Sequence, residues 1–239
     1  MTGSTVVGAE VEDRSGPEAR RGHLARLGGL GGLVFVTVVI AQNVVRAAIA
    51  PANDATPASI VTHYVDDRSW YLLLGASFAA SAVGLALFVG AWWGRVRRTD
   101  APGWAGVGLL GATGIFTLFP MMVATEFGLL VTTDRARPDT AVVDALWTLH
   151  NATFQVLDTA IAIATLGVAI AAVSAGIAPR AFRWLGPVGA GLLLIGTLAG
   201  PQLAAGDAQP LMGLAGLGFL VWLALVGVTS GRLLRDPAA

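Results

Sequence analysis

Residues 101–125 read APGWAGVGLLGATGIFTLFPMMVAT, twenty-five positions without one ionisable side chain. At 1.5 Å per residue a helix of that length reaches about 37 Å, more than the ~30 Å hydrocarbon core of a bilayer. Five more uncharged runs flank it: Leu27 to Val45, Ser69 to Gly94, Thr159 to Pro179, Trp184 to Gly206 and Ala208 to Gly231. A soluble core helix rarely needs even one. Six in succession predict an all-α, polytopic transmembrane helix bundle. Its six spanning helices are expected at about 27–48, 70–93, 103–126, 150–176, 184–205 and 211–231.

Composition agrees. Apolar residues make up 55% of the 239 and charged residues 13%, against ~45–50% and ~25% in soluble domains. So few ionisable groups cannot cover a water-facing surface, so membrane lipids are the expected partner. The absence of cysteine excludes disulfides, thiolate metal sites, c-type haem attachment and iron–sulfur clusters. Formal net charge is zero, which leaves no global basic field for nucleic acid. All fifteen basic residues are Arg. Arg, Ala, Gly and Pro have GC-rich codons, so the expected setting is a bacterial plasma membrane crossed several times.

Residues 1–26 mix four acids and four arginines with Gly and Ser and read as a disordered cytoplasmic tail. They are too long and too mixed in charge for a signal peptide, so the first span is expected to stay uncleaved. The six-helix domain covers 27–232, and 233–239 form a second tail. Arginine sets the orientation. Eleven of the fifteen fall in the N-terminal tail, the 95–98 and 180–183 connections and the C-terminal tail. Arg46, Arg68, Arg135 and Arg137 fall on the other side, with most of the loop acids. Both termini are therefore expected in the cytoplasm.

The short second, fourth and fifth connections predict antiparallel neighbours. In the first outer loop Thr56-Pro57 resembles an N-cap followed by proline at the first helical position. Ile60, Val61, Tyr64 and Val65 then share a face, which predicts a short amphipathic helix on the outer membrane surface. Pro138-Asp139 is expected to start the fourth helix outside the bilayer. Gly28/Gly32, Gly90/Gly94 and Gly227/Gly231 have small-xxx-small spacing, read first as packing within the chain.

Ionisable groups at the edge of a span need a reason. Arg46 follows the first uncharged run, Glu126 the third, and Asp158 precedes the fourth. The topology puts all three toward the outer leaflet, at one depth. Gln42 and Asn43 share a sector of helix 1 with Arg46. Asn151, Gln155 and Asp158 follow i, i+4, i+7 and form a polar stripe on helix 4, with His150 turned about 80° away. Lipid cannot satisfy such a stripe.

The functional reading is an outward-facing polar pocket between spans 1, 3 and 4, binding or passing a small molecule or lipid. Arg46 would pair with Glu126 or Asp158 and hold an anionic group, or the ion pair would gate the pocket. Two structural readings stand beside it: interfacial residues with Arg46 reaching toward headgroups, and polar glue between helices.

No catalytic residue, cofactor or metal is expected. Haem would need two facing histidines, and only His150 lies near a span. A metal-dependent outer-surface enzyme, using His63, His150 and carboxylates, is an alternative without a close HxxxH pair. A structural or regulatory subunit is a third. No serine-hydrolase elbow occurs, and a P-loop is impossible without lysine. The tryptophans at span ends read as an aromatic belt.

Three stretches carry a likeness to known proteins. They are Asp54–Tyr71 (DATPASIVTHYVDDRSWY), the fourth span around His150-Asn151-Ala152, and the Ala178-Pro179-Arg180 turn followed by WLGPVGAG from Trp184. The chain resembles, over about residues 25–232, an uncharacterised family of bacterial six-helix membrane proteins classed only as a domain of unknown function. The resemblance implies six helices and supplies no activity.

Overall fold

The computed structural model describes residues 17–99, 101–200 and 209–235, and side chains for 22–99, 101–200, 211 and 213–235. The described residues form seven helices and no strand: α1 (Pro17–Ile49), α2 (Pro57–Asp66), α3 (Arg68–Val96), α4 (Pro102–Thr133), α5 (Thr140–Ser174), α6 (Phe182–Leu198) and α7 (Gln209–Arg235). Five contain stretches long and apolar enough to cross a membrane: Gly22–Ile49, α3, α4, α5 and Gly213–Arg235. The sixth, α6, is apolar but only 17 residues long. Large apolar side chains point outward around the bundle, among them Leu110 (66% exposed), Trp184 (77%) and Leu198 (79%). An apolar exterior of that kind suits lipid and not water. The architecture is that expected of a multi-pass integral membrane protein.

The six long helices close into a ring in the order α4, α5, α6, α7, α1, α3, with α3 returning to α4. The expected neighbours α3–α4, α5–α6 and α6–α7 all pack together. The α4–α5 seam is the tightest. A Cβ on Gly167 would strike the Gly108 backbone and come within 2.8 Å of the Trp104 carbonyl. A Cβ on Gly111 would strike the Ala164 backbone. Among the expected glycine pairs, Gly28 and Gly32 pack closely on α3 and α7, whereas Gly90, Gly94, Gly227 and Gly231 have nothing within 4 Å of a built Cβ. Spacing marks which glycines share a face; the ring decides which faces meet.

Several boundaries differ from the expected spans. α1 starts at Pro17, so the last ten residues read as tail are helical, with proline suited to a helix start; residues 1–16 lie outside the described residues. α4 runs past Glu126 to Thr133, and Leu129 and Leu130 on this last stretch are buried against Ile60 and Tyr64 of α2 and Val143 and Trp147 of α5. α5 starts where Pro138-Asp139 marks it: Asp139 Oδ1 accepts from Ala141 N (3.0 Å) and Val142 N (3.4 Å). The expected end of span 5 at 205 lies outside the described residues, and α7 opens at Gln209, two residues before the expected start of span 6 at 211. At the α5–α6 turn, Gly176 takes φ +70°, which suits glycine at a helix C-terminus. Its carbonyl accepts from Arg232 Nη1 at 2.8 Å, tying the end of α7 to the turn.

α2 forms as the Thr56-Pro57 signature predicts, with Thr56 Oγ1 accepting from Ser59 N at 3.4 Å. It does not use its apolar face against lipid. Ile60 and Tyr64 are fully buried against Ile49, Tyr71, Leu74, Leu129, Val143 and Trp147, and Val65 stays exposed. α2 is thus a cap over the end of the bundle, seated on α3, α4 and α5.

Candidate functional site

Under this cap the C-terminal end of α1 meets the last third of α4. Arg46 faces Glu126 through both terminal guanidinium nitrogens: Nη1 contacts Oε1, and Nη2 donates to Oε2 at 2.8 Å. A two-point pair of this kind fixes orientation as well as charge. Its members differ in access to water: the Glu126 side chain is 4% exposed and that of Arg46 23%. His150 of α5 sets Nε2 4.0 Å from Glu126 Oε1, near but beyond hydrogen-bond range. Its Nδ1 lies 3.3 Å from Thr125 Oγ1, which itself donates to the Met122 carbonyl at 2.7 Å. Trp147, one turn earlier, stacks on the imidazole with centroids 5.4 Å apart and planes 4° from parallel. Its indole N–H donates to Asn53 O at 3.3 Å. The His150 ring is therefore held at its Nδ1 edge by Thr125 and on one face by Trp147.

Two tyrosines close this layer from above. Tyr71 donates to the Ile49 carbonyl at 3.2 Å, binding α3 to the end of α1. Tyr64 stacks on Tyr71 at 4.0 Å between centroids. Its hydroxyl is buried and has no hydrogen-bond partner among the described residues. Burial first, and the Glu126 charge second, push that hydroxyl well above the usual phenol range, so it remains protonated.

A second polar group lies deeper. Eight residues separate His150 from Asp158, which sets Asp158 about 12 Å further along α5. The expectation that Arg46, Glu126 and Asp158 share one depth is corrected: Arg46 and Glu126 do, and Asp158 sits below them. Its 100°-per-residue rotation also turns it from α4 toward α6 and α7. There it lines a cavity of about 180 Å³ with Asn43, Asn53, Asn151, Phe154, Gln155 and Phe219. Gly196 of α6 opens the space beside the carboxylate: a Cβ there would lie 3.6 Å from Asp158 Oδ2. A smaller void of about 70 Å³ shares Asn43, Phe154, Asp158 and Phe219 and reaches Arg46 and Gln42.

The stripe Asn151, Gln155, Asp158 thus faces one cavity, but its walls are α1, α5, α6 and α7. Between spans 1, 3 and 4, here α1, α4 and α5, lies the smaller void, lined by Gln42, Asn43 and Arg46 of α1, Met122 of α4 and Asp158 of α5 and closed by Phe219 and Trp222 of α7; Glu126 and His150 stand beside it, off its wall. Gln42 serves packing: its Nε2 donates to Ser77 Oγ at 2.7 Å and toward the Leu74 carbonyl at 3.4 Å across the α1–α3 seam. Asn43 donates to Val39 O at 2.8 Å, and Gln155 to Gly200 O at 3.3 Å. Asp158, 8% exposed, makes no hydrogen bond or ion pair among the described residues.

Family models, curated proteins and solved structures offer no match to this chain. Among the described residues no group of three or more His, Asp or Glu is placed to hold a metal ion. Phe154, Phe219 and Asn53 are lining residues that periodicity did not single out. Phe219 sits on an apolar helix without a polar marker, and Asn53 is in a loop.

Proposed function

We propose that the chain is a six-span protein of the bacterial plasma membrane, with both termini in the cytoplasm, that binds or passes a small molecule through an outward-facing polar cavity. In this reading α6 completes the set of spans, since 17 residues reach about 25 Å and slight local thinning accommodates the remainder. The arginine distribution supports the orientation, with α2 and the Arg46–Glu126 pair then on the outer side. The earlier resemblance to bacterial six-helix membrane proteins belongs to the same proposal.

One observation carries the functional half. Asp158 is a buried carboxylate with no partner among the described residues, on the wall of a cavity whose other polar groups are amides. A charge held inside a membrane bundle without a counter-charge is costly, and such residues mark ligand or ion paths. Polar glue between helices would instead hydrogen-bond across a seam, as Gln42 does with Ser77. Arg46 has the opposite standing, because Glu126 matches its charge through a two-point contact. It holds the cap layer together and does not receive the ligand.

Native mass spectrometry of the protein released from mild detergent tests this. The wild type should carry a small-molecule adduct that Asp158→Asn loses. The same spectrum from both proteins overturns the assignment of the cavity.

A further inference from the structure

We propose that the cavity at Asp158 takes a small organic ammonium ion. This rests on the binding role just given and adds the ligand's chemical class.

Charge selects the sign. Among the described residues, Asp158 is the only ionisable one on the wall of the larger cavity. The smaller void adds Arg46, whose charge is already matched by Glu126. Among the described residues an anionic ligand would meet an unopposed carboxylate and no cation free of a counter-charge. A cation supplies the partner that Asp158 lacks.

The neutral wall points the same way. Asn43 and Gln155 each commit an amide nitrogen to a backbone carbonyl. Their amide oxygens have no partner among the described residues and remain as acceptors. An ammonium N–H donates to such oxygens.

Size and aromatic content separate an organic cation from a metal ion. Hard cations are held by six to eight oxygens, usually several of them carboxylates. Here there is one carboxylate, and Phe154 and Phe219 take part of the wall. Phenyl rings do not ligate hard metals but attract ammonium groups through their faces. The roughly 180 Å³ also exceeds what a proton or bare ion would occupy and suits a compact group of several heavy atoms.

Equilibrium dialysis of the full chain in detergent tests this with three probes of similar shape. They are choline, its uncharged isostere 3,3-dimethylbutan-1-ol, and the anion 3,3-dimethylbutyrate. Choline should bind the wild type about tenfold or more tighter than either other probe. That preference should vanish in Asp158→Asn. The three-probe comparison on the wild type stands even if the variant fails to fold. Equal or tighter binding of the alcohol or the carboxylate overturns the ammonium assignment while leaving the cavity as a binding site. Failure of all three to bind also overturns it. The native mass spectrum then shows whether the binding role falls as well, since an adduct lost in Asp158→Asn preserves that role and its absence removes it.

Discussion

Replacing Arg46 by alanine leaves Glu126 without its two-point partner in a nearly sealed position. Two magnitudes compete for the outcome. An average interhelical polar contact in a membrane protein contributes about 0.6 kcal/mol, whereas removing one member of a buried ion pair costs about 3–5 kcal/mol. Burial decides between them. With its side chain 4% exposed, Glu126 cannot turn to water, and His150 at 4.0 Å is too far to replace the guanidinium. Arg46→Ala should therefore cost about 3 kcal/mol, roughly a 150-fold loss in the folding equilibrium. Glu126→Gln should cost less, about 1–2 kcal/mol, because Arg46 is 23% exposed and its long stem can carry the charge to water. The double variant should be more stable than the sum of the single costs implies, by about 1–3 kcal/mol. Equilibrium unfolding in mixed micelles, followed by tryptophan fluorescence, measures all three. An Arg46→Ala cost within about 0.6 kcal/mol of zero, or strict additivity in the double variant, would refute a buried structural pair.

Three further outcomes use the same assay. Gly167→Ala should cost about 1–3 kcal/mol through overpacking against Gly108 and Trp104, while Gly94→Ala, with nothing within 4 Å, should be neutral or stabilise by up to about 1 kcal/mol. Tyr71→Phe should lose about 0.5–1.5 kcal/mol with its bond to the Ile49 carbonyl, and Tyr64→Phe, which removes a buried hydroxyl without a partner, should be neutral or stabilising; the reverse order contradicts the packing under α2. Asp134→Ala breaks the 3.2 Å pair with Arg68, whose side chains are 62% and 37% exposed, and should shift stability by less than about 0.5 kcal/mol.

What could be read from residue order follows a physical divide. Uncharged length located the long apolar helices, because hydropathy is a sum over neighbouring residues. Local capping chemistry located the starts of α2 at Thr56-Pro57 and of α5 at Asp139. Helical periodicity put Asn151, Gln155 and Asp158 on one face. None of these reports which helix stands opposite that face. The choice of Glu126 over Asp158 as partner of Arg46 depends on the rotation of α1 against α4. The cavity wall depends on α7 closing the ring against α1. The error over depth has the same root: Asp158 borders an uncharged run, but α5 begins eighteen residues before it, so a run boundary did not mark the membrane edge. Hydropathy also gave α2 a lipid-facing role, though its apolar side meets other helices.

The proposed binding role requires a cavity at Asp158 that water reaches from outside the cell. The chain has no cysteine, so single-cysteine variants give unambiguous labelling. The most direct measurement compares Asn151→Cys with Val156→Cys in intact cells, using a membrane-impermeant thiol reagent. Asn151 lines the cavity, and Val156, 52% exposed on the same helix, faces the lipid side. Rapid labelling at 151 and little at 156 are expected. Labelling at 151 only after the cells are opened, or equal labelling at both positions, contradicts that role.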